Sequence, residues 1–239
     1  MPPNPIEHLK DPASMDPVPD LVENILGASQ YISVSYWLGQ AAALATGTNP
    51  WEWVAEQFAG DWEAVNKAGQ ALSNLDEFNR SYAAAVRIGM EGVDHSWDGH
   101  AADAAAEYFS RFSGSVNGQA HVIGEIGDQL KMMSTGMYET AQAIKGLWEF
   151  LLDLLIAAAL EMAAAAATGV TVIGPVLAGA AAVATIAKAM GVWGEVLTLH
   201  SNTWNAAQGT IGVIAGSLGG LQDLEANVLP TRSYDHPGV

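Results

Sequence analysis

The stretch Val93-Asp94-His95-Ser96-Trp97-Asp98-Gly99-His100-Ala101 separates two long segments, and its reading decides the fold. Upstream, Trp62, Val65, Leu72, Leu75, Tyr82, Val86 and Val93 recur at steps of three, four and seven residues. That is the spacing of one face of an α-helix. Downstream, Ala101, Ala105, Tyr108 and Phe112 keep the same rhythm. After an interval, Ile123, Ile126, Leu130, Met133, Met137, Ala141, Ile144, Trp148, Leu151 and Leu155 resume it. Steps of three and four make a heptad-like seam, expected of a long helix packed along an antiparallel neighbour. Between the two segments, Gly99 is free to take a left-handed backbone conformation, so the chain reverses over 95–100. The spacing predicts a helix over about 61–93, a tight turn, and a second helix from 100 to 146. Gly114, Gly118 and Gly124 weaken the second helix and predict a break near 114–119.

Working outward, residues 1–19 carry six prolines and predict an extended, poorly ordered arm. A helical pattern runs from Leu21 to about Leu44, with a loop at 46–50. Asn49, Pro50 and Glu52 then have the order of a helix start: cap, first-turn proline, acidic third position. That short helix ends near Gly60. We assign 20–146 to one helical domain. From Phe150 the chain turns apolar and Ala-rich, and Met162 to Ala187 holds no charged residue. Gly174-Pro175 divides this stretch into helices over about 147–168 and 176–200. A Gly-rich helix over 203–228 follows, so 147–229 forms an apolar helical hairpin plus a last helix, and 230–239 a polar tail. The fold class is all-α: a long antiparallel hairpin within a multi-helix bundle, plus an apolar C-terminal hairpin.

Composition narrows the function. Half of the 239 residues are hydrophobic and 15% are charged, the opposite of a disordered composition. The net charge of −17, with no cluster of Lys or Arg, excludes a nucleic-acid partner, since phosphate binding requires basic side chains to displace counterions. Cysteine is absent, which removes disulfides, thiolate metal sites and thiol nucleophiles. The N-terminus has neither a basic nor an apolar region of the Sec signal type.

Helix, Trp97-Asp98-Gly99, helix: this arrangement resembles the WXG100 superfamily, whose members are antiparallel helical hairpins exported by type VII (ESX-type) systems. The small-residue stretch from Ala101 to Ala106 and the upstream Ala59-Gly60-Asp61-Trp62-Glu63 are similar to extended WXG-like proteins and toxin modules of actinobacteria. The resemblance implies a secreted or cell-surface protein that leaves by a non-Sec route and is cytoplasmic before export. It also implies type VII secretion machinery as a partner, and pairing either as a homo-oligomer or as a heterodimer with a small WXG protein. On physical grounds, Trp97 is expected to cap the open end of the two-helix core. The seam residues are Trp62, Tyr82, Val86, Tyr108, Phe112, Ile123, Ile126, Leu130, Met133 and Met137. The family's Tyr-x-x-x-Asp/Glu export signal has no match, because Tyr108, Tyr138 and Tyr234 are followed at the fourth position by Phe112, Gln142 and Gly238. Export therefore falls to a partner that carries the signal.

An enzyme is not expected, and neither is a cofactor or a metal. His95, Asp98 and His100 lack ligand spacing, and His121, Glu125 and Asp128 read as a solvated polar stripe. No phosphate-binding loop, nucleophile elbow or His-Glu-x-x-His occurs. Two alternatives stand beside export. One is a membrane-inserting, pore-forming hairpin over 147–200, with Leu154, Ile156, Gly174, Pro175, Leu177 and Val183 in it, opposed by the charges of Asp153, Glu161, Lys188 and Glu195. The other is a delivery module of a larger toxin, whose reading frame would continue past Val239; the polar ending favours a complete protein.

Overall fold

The computed structural model describes residues 3–13, 62–167 and 173–222, and the side chains of all of these except 173–178 and 222. Three long helices make up nearly all of it. They are α1 (Trp62–Asp94), α2 (His100–Ala167) and α3 (Ile173–Gln222), preceded by a 3-10 turn at Pro5–His8. No strand occurs among the described residues, so the all-α class holds. The helices expected over 21–58, the Gly-Asp-Trp start at 59–61 and the tail at 230–239 lie outside the described residues, apart from Trp62 itself.

The expected breaks in α2 and α3 are absent. α2 runs unbroken through Gly114, Gly118 and Gly124, and also across 146/147, where we place a domain boundary. A glycine costs a helix about 1 kcal/mol relative to alanine. Around those glycines, however, Ser113, Val116, Ala120 and Ile126 are buried, and burial outweighs propensity. No proline interrupts α2. α3 likewise continues through 200–203. There the hydroxyls of Thr198 and Thr203 donate to the carbonyls of Gly194 and Leu199, at 2.8 and 3.1 Å, so these polar side chains are satisfied within the helix. Pro175 sits in the first turn of α3, where a missing N–H breaks no helical hydrogen bond.

The chain forms two compact units, dividing within α2 between Ser134 and Thr135 and within α3 between Ala206 and Ala207. In the first unit α1 and the N-terminal part of α2 form the antiparallel hairpin. Gly69 lies against Gly127, Asp76 against Gly124 and Tyr82 against Phe112, so numbers rise along one helix as they fall along the other. The two glycines set the approach. A Cβ on Gly69 would lie 2.8 Å from the Gly127 carbonyl oxygen, and one on Gly127 would lie 2.8 Å from that of Gly69. Residues 3–13 are not the loose arm expected. His8 Nδ1 lies 3.1 Å from Glu77 Oε2, the Asn74 amide donates to the Lys10 carbonyl at 2.8 Å, and the Ala13 N–H donates to Gln70 Oε1 at 2.9 Å. Polar side chains of α1 thus satisfy the backbone of a Pro-containing segment that has little backbone bonding of its own.

The second unit holds an apolar core cluster. From α2 it takes Met137, Ala141, Ile144, Trp148, Leu151 and Leu155, and from α3 Ala189, Val192, Trp193 and Val196. On α2 these positions alternate by four and three, which keeps them on one face of the helix. Ile144 and Val196 are fully buried. Thr140 and Thr203 bridge α2 and α3 with their hydroxyl oxygens 2.7 Å apart.

Because the Gly69–Gly127 contact leaves no room for a side chain, Gly127→Val is expected to lower stability by about 1–3 kcal/mol. Gly114, with open space around it, behaves differently: Gly114→Ala is expected to raise stability by up to about 1 kcal/mol. Urea denaturation followed by circular dichroism checks both, and similar effects at the two sites would contradict the close approach.

Candidate functional site

The turn linking α1 to α2 is short and built by its own backbone. The Ser96 N–H donates to the Val93 carbonyl at 2.9 Å, closing α1, and its hydroxyl donates to the same oxygen at 3.1 Å. Gly99 has φ of +101°, the one positive φ among the described residues. Its carbonyl accepts the first hydrogen bond of α2, from the Asp103 N–H at 3.1 Å. Asp103 also places a negative charge in the first turn of α2, where the helix dipole favours it. Trp97 is 37% exposed, and the residues from Glu91 to His100 are exposed around it, while Ala102 and Ala105 are buried in the first turns of α2.

Behind the turn, Arg87, Met90, Glu91, Asp94, Ala106, Phe109 and Ser110 line an open cleft of about 190 Å³. Arg87 pairs with Glu91 within α1, and Asp94 adds a second carboxylate to the cleft lining. His121 and Glu125, 3.3 Å apart, are exposed like Asp128, as a solvated stripe requires. Among the described residues no three His, Asp or Glu side chains group closely enough to hold a metal ion.

The seam residues fall into three environments. Met137 and Ile126 are buried, with Met137 in the second unit's core and Ile126 in the first unit. Val86, Tyr108, Phe112, Ile123, Leu130 and Met133 are half-buried in the first unit, and Trp62 packs at the margin of the second unit's core. Tyr82 is 40% exposed, yet it stacks on Phe78 at 6.1 Å and meets Phe112 edge-on at 6.1 Å. Such aromatic pairs contribute about 0.5–1.5 kcal/mol beyond their burial. Of the hairpin residues, Leu154 is half-buried while Ile156 and Val183 are exposed. Gly174, Pro175 and Leu177 lie in the first turns of α3, and their side chains are outside the described set. Glu161 Oε2 accepts a hydrogen bond from the Thr185 hydroxyl at 2.9 Å.

Periodicity of large apolar residues missed the small and polar contacts. Ser134 is fully buried, Thr140 reaches Thr203, and Gly69 meets Gly127. It also missed His200, whose ring stacks on Trp204 with centroids 6.4 Å apart. Burial holds the pKa of that imidazole below its ordinary value.

Comparison with family models, curated proteins and solved structures found no match to this chain. The geometry therefore defines a class only: an all-α protein whose exposed features are a Trp-Asp-Gly helix turn and long apolar helix faces.

Replacing Gly99 tests the turn. Gly99→Ala forces a side chain into a positive-φ conformation and is expected to cost about 1 kcal/mol. Trp97→Ala, at an exposed site, is expected to change stability by less than about 0.5 kcal/mol. Thermal unfolding of both variants checks this, and a large loss for Trp97→Ala would mean that the indole is part of the core.

Proposed function

We propose that the chain is a non-enzymatic, export-competent association protein of WXG type, a type VII secretion substrate or targeting module. It works by helix–helix pairing with itself or with a small WXG partner. The observation that carries this reading is the partly exposed Trp97 on a turn whose reversal depends on Gly99. A tryptophan exposed at the tip of a rigid hairpin contributes little to the hairpin's own stability and is available to another protein, where aromatic anchors dominate binding energy. Expressed in an actinobacterium with a functional type VII system, the chain is expected in the culture medium, and disabling that system should retain it inside. Trp97→Ala should cut export at least several-fold without changing cellular abundance. Equal export with and without the system would overturn the proposal.

A second reading has its own observation. Among the described residues two helices are long and apolar enough to cross a membrane, and in the apolar window of α2 only 17% of the residues are buried. Phe150, Ile156, Leu160 and Met162 are exposed there. Membrane insertion of this part of α2 with the start of α3 predicts dye release from liposomes, abolished by Val183→Asp. Liposomes that stay sealed at neutral and acidic pH would exclude it. Asp153, Glu161 and the Glu161–Thr185 hydrogen bond weigh against it, because ionisable groups are costly at bilayer depth.

A further inference from the structure

Charge stops on α2 at Glu161 and resumes on α3 at Lys188, with none from Met162 to Ala187. The Glu161 carboxylate accepts a hydrogen bond from the Thr185 hydroxyl at 2.9 Å, so the two helices lie side by side at that level. These residues all belong to the second unit. Beyond that level both helices are apolar and open. On α2, Met162 is 46% exposed, and Ala163, Ala164, Ala166 and Ala167 are exposed with it. On α3, Val183 is 67% exposed, and Ala180, Ala181 and Ala184 are exposed beside it. Such positions cover a broad apolar arc, as a lipid-facing helix does and a narrow seam for a partner helix does not.

Dimensions select one leaflet rather than a full crossing. A stretch of about 20 residues, the length that spans a bilayer, takes in Glu161, Asp153 and Glu149 when counted back from Ala167. Counted forward from Ile173, it takes in Lys188. Charges at bilayer depth are costly. The uncharged part fits a shorter path. From Thr185 back to Ile173, α3 runs twelve residues, about 18 Å at about 1.5 Å each. The hydrocarbon of one leaflet is half of a core about 30 Å thick, or about 15 Å. Entry to that depth leaves Glu161 and Lys188 among the headgroups, with the Glu161–Thr185 hydrogen bond intact. It also leaves Trp148, Leu151, Trp193 and Val196 packed in their core.

Charge selects the lipid. Between Gly146 and Glu195, Lys188 stands alone against Glu149, Asp153, Glu161 and Glu195, and the whole chain carries −17. Anionic headgroups attract clusters of Lys and Arg, and this surface offers them net negative charge instead.

We propose that the tip of the α2–α3 hairpin is a membrane anchor that enters one leaflet of a bilayer of zwitterionic lipid and stops at Glu161 and Lys188. It shares with the second reading above only the lipid partner, because an anchor of this depth opens no pore, and it does not depend on export. The test mixes the full chain with phosphatidylcholine vesicles holding a trapped dye. The protein should float with the vesicles while the dye stays inside. Adding an equal share of phosphatidylglycerol should lower the bound fraction several-fold. Met162→Asp combined with Val183→Asp should abolish flotation with unchanged helical circular dichroism, since both side chains are exposed. The chain has no cysteine, so a nitroxide on Leu177→Cys reports depth. It should be reached by oxygen and shielded from a nickel chelate, and a label on Asn202→Cys, which is exposed on the same helix, should behave in the opposite way. Absence of flotation overturns the anchor and the pore reading together. Flotation with dye release, or hydrocarbon depth at Asn202, overturns the anchor and leaves the pore reading standing. Binding that rises with phosphatidylglycerol also overturns it.

Discussion

The packing of α2 against α3 in the second unit rests on a run of side chains placed alternately four and three residues apart, from Met137 to Leu155. That spacing keeps every member on one face, so each turn of α2 adds another buried contact while its opposite face stays in water. Fully burying a residue such as Ile144 or Val196 stabilises the fold by about 1.5–3 kcal/mol. Trp148 and Trp193 bring larger areas from the two helices into the same layer. Within the seam the hydroxyls of Thr140 and Thr203 meet across the helices at 2.7 Å, Thr140 donating to Thr203, whose own hydrogen goes to the Leu199 carbonyl. Helices of this length need such a continuous seam, because propensity alone does not hold Gly-containing segments straight.

The first unit uses a different device. Its helices approach at a pair of glycines rather than through large side chains, and Gly69 and Gly127 bring backbone against backbone. Aromatic packing of Phe78, Tyr82 and Phe112 fills the hairpin further toward the turn. Ion pairs such as Glu63–Lys67 and Asp76–Arg80 lie one helical turn apart on α1. Pairs of that kind contribute only about 0.3–0.5 kcal/mol each, so they tune solubility more than they hold the hairpin. Beside the turn, Ala102 and Ala105 of α2 are still buried, while Trp97 is partly exposed.

α3 buries one apolar face against α2 in the second unit, while Val183, Met190, Leu197 and Trp204 on the same helix are exposed.

Much of this was legible in the sequence. Helix class, the bounds of α1 and the reversal at Gly99 followed from three-and-four spacing and from one residue free of a Cβ penalty, because both act locally along the chain. The α2 seam through Ile144, Trp148 and Leu151 was legible for the same reason. What tertiary structure alone decided was which faces meet. Whether Gly114 and Gly118 break a helix depends on what packs beside them, and the burial of Ser113, Val116 and Ala120 kept α2 whole. The contact of Gly69 with Gly127 and the open stripe on α3 were equally silent, since a residue's type states what it can bury and only its neighbours in space determine whether it does.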